Sequence, residues 1–147
     1  MKRAALGLAI ALACSPNPGQ AETFYLYCVG LTPVATASRS FISQVFQVSG
    51  VDFMKEGTAG KTLAEIEKAW SDFTGCDVRN DHGHCHCTYS ASLQSATRLR
   101  ADYLAAMQDS LAGSASGQMN PSGVRSIDLP HESISAAVAK GKAAPQE

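Results

Sequence analysis

The chain has 147 residues, with 12 Lys plus Arg against 13 Asp plus Glu, a net charge of −1, and only 7% aromatic residues. A length of this order supports one hydrophobic core rather than two. Near-neutral charge with few aromatics excludes the basic, aromatic-studded surface that nucleic-acid binding requires.

Lys2 and Arg3 precede an apolar run from Ala4 to Ala13, about half the length needed to cross a bilayer. Gly19-Gln20-Ala21 then puts small residues at the two positions a signal peptidase reads. Residues 1–21 are therefore expected to be a secretory signal peptide cleaved after Ala21. The alternative is lipidation at Cys14, directly behind the apolar run, which would give a lipid-anchored outer-membrane protein. Ala11-Leu12-Ala13-Cys14 fits a lipobox poorly, because Leu is expected where Ala11 stands and a small residue where Leu12 stands. Cleavage after Ala21 leaves ten Lys plus Arg against thirteen Asp plus Glu, on a protein expected to be periplasmic or secreted. No further segment reads as a transmembrane span.

Phe24 to Val29 is rich in strand formers and ends at Gly30. Ser40 to Val48 makes a second strand, with Ile42, Phe46 and Val48 expected on one face and Phe41 and Val45 on the other. Gly57-Thr58-Ala59-Gly60-Lys61-Thr62 looks like a phosphate-binding loop, but that motif needs Gly where Lys55 stands and an apolar strand feeding it. It is read as a loop into a helix. Thr62-Leu63-Ala64-Glu65 has the form of a capping box, and Leu63, Ile66, Trp70 and Phe73 recur at helical spacing up to Gly75. Trp70, on that stripe, is expected in the core.

His84 to Tyr89 reads as a third strand, and a second helix follows with Ser90 or Ser92 as its cap. Its expected buried face is Ala96, Leu99, Tyr103, Ala106 and Met107, and it ends near Gly113. Large apolar residues thin out in AGSASGQMNPSG; Val124 to Leu129 then alternates as a short edge strand, and a weak helix is expected over Glu132 to Lys140. The fold class is thus α+β: a small disulfide-stabilised domain over 22–112 in the order β-β-α-β-α, with helices on one sheet face. Residues 113–147 are expected as a flexible C-terminal segment carrying the edge strand.

Four cysteines remain after cleavage, Cys28, Cys76, Cys85 and Cys87, an even count that favours two disulfides in an oxidising compartment. Three connectivities are possible. Cys28 with Cys87, stapling the first strand to the third, and Cys76 with Cys85, closing the loop between helix end and strand, is preferred. An 85–87 bridge is disfavoured because residues two apart on one strand are poorly placed to bridge. If residues 82–88 are extended, His82, His84 and His86 share the opposite face. Such imidazoles could hold Zn²⁺ or Cu²⁺ with Asp81 or Asp77 as an oxygen ligand, though nothing distant in the sequence supplies further ligands. No catalytic motif stands out, neither GxSxG nor CxxC. The leading expectation is an exported cell-envelope binding or accessory protein with no cofactor and a protein or envelope partner. A periplasmic metal-binding protein using the histidine face is the alternative.

Overall fold

The computed structural model describes residues 22–32, 39–54, 57–76, 85–113 and 124–144. In chain order they form β1 (Thr23–Thr32), β2 (Arg39–Ser43), β3 (Phe46–Ser49), α1 (Thr58–Thr74), β4 (Cys85–Ser90), α2 (Leu93–Gly113), β5 (Arg125–Ile127) and α3 (His131–Ala143). The fold is α+β and carries two disulfides, Cys28–Cys87 and Cys76–Cys85. Cys14 and the whole 1–21 segment, with Asp77, Asp81, His82 and His84, lie outside the described residues.

β1 is the spine of the sheet. It pairs antiparallel with β4 along one side and with β2 and β3 in tandem along the other, while β5 adds to β2 in parallel. β2 and β3 are one strand broken by a bulge. Val29 stands opposite Ile42 and Leu26 opposite Phe46, so Tyr27 and Cys28 face the three residues Ser43, Gln44 and Val45. One extra residue reverses side-chain parity. Phe41, Phe46 and Val48 therefore share the main core, and Ile42 and Val45 turn to the other face. This corrects the grouping expected from uninterrupted alternation.

Both faces of the sheet are covered, not one. Phe24, Leu26 and Cys28 point towards α1 and α3, meeting Ile66, Trp70, Ile134 and Ala137. Tyr27, Val29 and Ile42 form a second apolar patch, and α2 lies over it with Tyr103 and Leu104. The inward stripe of α2 is accordingly Ala96, Arg100, Tyr103, Leu104 and Met107, whereas Leu99 and Ala106 are exposed. Its cap is Ser92, whose Oγ accepts the Ser95 N–H at 3.4 Å.

α1 begins at Thr58, one turn before the expected capping box, and no side chain caps it. Thr62 is fully buried in the helix interior instead, where α3 crosses it. A Cβ at Gly141 would run into the Thr62 backbone, so glycine there is what lets the two helices touch. Phe73, expected in the core, is half-exposed near the end of α1. The segment from Val124 onward is no appendage: Leu129, Ile134 and Ala137 are buried in the main core, and burying a large aliphatic side chain contributes about 1.5–3 kcal/mol.

Trp70 is fully buried and its Nε1 donates to the Val29 carbonyl at 2.9 Å. That position forces Gly30, which stands opposite Cys85. A Cβ on Gly30 would lie 2.9 Å from Cys76 Sγ and 3.1 Å from Trp70 Nε1. Gly30→Ala is expected to lower stability by about 1–3 kcal/mol in urea unfolding, as overpacking a filled core does. Gly60→Ala, where a methyl meets nothing within 4 Å, should instead raise it by up to about 1 kcal/mol through helix propensity.

Candidate functional site

Alternation along β4 separates two chemistries. Cys85 and Cys87 are buried on the α1 side, each in a disulfide, while His86 points to the α2 side. There its ring meets Tyr103 edge-on, with centroids 5.9 Å apart. Burial, and secondarily the neighbouring Tyr27, pushes the Tyr103 hydroxyl above the usual tyrosine range. Of the expected histidine face only His86 is described. Among the described residues no group of three or more His, Cys, Asp or Glu side chains is placed to hold a metal ion.

The sheet edges differ in how they are closed. Cys28 and Cys87 are direct partners with Cα atoms 4.0 Å apart, the spacing of a pair that exchanges no backbone hydrogen bonds. Each amide therefore points away from the bridge. Cys87 N–H meets Glu67 Oε1 at 2.9 Å, which puts a carboxylate on the outer edge of β4, a charge that discourages another strand from pairing. Cys28 N–H points into the bulge and meets Ser43 Oγ at 2.8 Å. From α2, Arg100 Nε donates to the Ser43 carbonyl at 2.6 Å and its NH2 group to Ser126 Oγ of β5 at 2.8 Å. Gln44 Nε2 reaches the same Ser126 oxygen at 2.9 Å. The bulge is thereby tied to both a helix and the edge strand β5, which covers β2.

β3 is left open. β5 pairs only along Phe41 to Ser43, and among the described residues no strand pairs the outer side of Phe46–Ser49. Since Cys28 turns its amide towards β2 and β3, Phe24 and Leu26 do the same, bonding Val48 and Phe46. The backbone groups of Gln47 and Ser49 then point outward. α3 packs on α1 rather than on β3, so a groove of about 680 Å³ opens between them. Phe46, Val48, Ile134 and Val138 make it apolar, and His131 and Lys142 are its ionisable side chains. A smaller concavity of about 390 Å³ lies at the far side of α1, where Gly57 and Gly60 of the loop-like stretch join Phe53, Met54, Leu63 and Tyr89. It is apolar, with no phosphate-binding character.

In comparisons with known proteins the chain matches no family model, no curated protein and no solved structure. Sequence reasoning did not find the groove. Ile134, Val138 and Lys142, spaced four apart on α3, were its available signal. Ser43→Ala should cost about 1–3 kcal/mol in thermal unfolding, the penalty for orphaning the buried Cys28 amide. Ser126→Ala, at an exposed position, should stay within about 0.5 kcal/mol.

Proposed function

We propose that the protein is an exported, disulfide-stapled binding module, periplasmic or secreted, whose ligand site is the groove between β3 and α3. Two buried disulfides fit an oxidising compartment, as does the charged and apolar leader over residues 1–21. No described helix is long and apolar enough to cross a membrane. The observation that carries the reading is the open strand edge facing a concavity of about 680 Å³, within the size range of ligand sites and with backbone hydrogen-bonding groups beside an apolar wall.

The described lining supports the binding reading. Its described lining residues include one lysine and one histidine and no carboxylate, and Ser135 Oγ and His131 Nδ1 are 3.4 Å apart. Screening small fragments by amide chemical-shift changes tests the site. Hits should cluster at Gln47, Ser49, Ile134 and Val138 and disappear in Ser135→Trp, which fills the groove from an exposed position. Hits centred on Phe53, Met54 and Tyr89, or hits indifferent to Ser135→Trp, would contradict the reading.

A further inference from the structure

Resting on that reading of the groove, we infer that its ligand is an extended peptide that adds as a strand to β3, with a carboxylate seated on Lys142. The shape of the vacancy argues for a strand. β5 occupies the outer edge of the bulged strand as far as Ser43, then the chain leaves through Asp128 and Leu129 and enters α3 after Pro130. Among the described residues no strand fills the same edge past Gln47 and Ser49, whose outward N–H and C=O groups repeat the pairing that β5 makes along β2. A backbone in extended form satisfies such a row, while alternate side chains enter the apolar wall.

Charge complementarity sets the chemistry of one end. α3 runs alongside β3, with His131 at its start and Lys142 in its last turn. Lys142 Nζ lies directly over Gly50, at the end of β3. Among the described residues no ion pair involves Lys142, and no acid among them lines the groove. The peptide therefore ends beside Lys142 with its C-terminal carboxylate, which makes it run parallel to β3.

The test uses the full chain after export and short peptides of randomised sequence, prepared both as free acids and as C-terminal amides. Free-acid peptides should bind, slow hydrogen exchange at the Gln47 and Ser49 amides, and lose roughly tenfold in affinity when the acid is amidated or in Lys142→Met, as a charged hydrogen bond implies. Equal affinity of acid and amide with no loss in Lys142→Met overturns the carboxylate assignment. Binding that leaves the Gln47 and Ser49 amides unprotected overturns strand addition. Fragments that seat in the groove while no peptide binds would defeat this inference and leave the site reading intact. Absence of both fragment and peptide binding would defeat the two together.

Discussion

The Cys28–Cys87 bridge imposes a constraint that reaches well beyond its two sulfur atoms. Its residues face each other across β1 and β4 with Cα atoms 4.0 Å apart, and at such a pair neither amide can bond the partner strand. The Cys28 N–H inside the sheet and the Cys87 N–H on the outer edge of β4 thus take acceptors from elsewhere, and a buried amide left unpaired costs about 1–3 kcal/mol. Glu67 of α1 supplies one and Ser43 of the bulge supplies the other. The covalent staple, the helix on one face and the bulge in the neighbouring strand are solutions to one requirement.

From the bulge follows the placement of the second helix. Shifting parity sends Ile42 and Val45 to the face opposite Phe41, and an apolar patch there needs a cover. α2 provides it, and Arg100 ties that helix to the bulge carbonyl and to β5. The outer edges are treated unequally as a result. Glu67 puts a charge on β4 and β5 covers β2, yet the stretch after the bulge lies beyond the reach of β5 and, among the described residues, faces the wall of α3. That inequality is why strand addition is proposed at β3.

Much of the fold could be read from local pattern. Val29 and its neighbours form a strand, Ile66 and Trp70 lie on one helical stripe, and the bridges staple the first strand to the cysteine-bearing strand and close the loop after α1, as expected. The bulge could not be read, since Ser43-Gln44-Val45 contains no glycine or proline to mark it and its partners, Arg100 and Ser126, are distant in sequence. The true start of α1 was hidden by a capping-box pattern at Thr62 that tertiary packing against Gly141 overrides. α3 was undervalued because its residues are mostly small, and small residues are what close helix packing at Gly141 requires. The groove depends on two elements, β3 and α3, that only the tertiary fold brings together, so the spacing of Ile134, Val138 and Lys142 alone could not assign it.

Native-state hydrogen exchange resolved by residue is the most direct measure of whether the bridge organises the sheet in this way. The Cys28 and Cys87 amides, held by Ser43 and Glu67 rather than by a neighbouring strand, should exchange as slowly as the ladder-bonded amides of β1. Those of Gln47 and Ser49, on the open edge, should exchange orders of magnitude faster in the unliganded protein. Fast exchange at Cys28 or Cys87, or slow exchange at Gln47 and Ser49, would contradict the account.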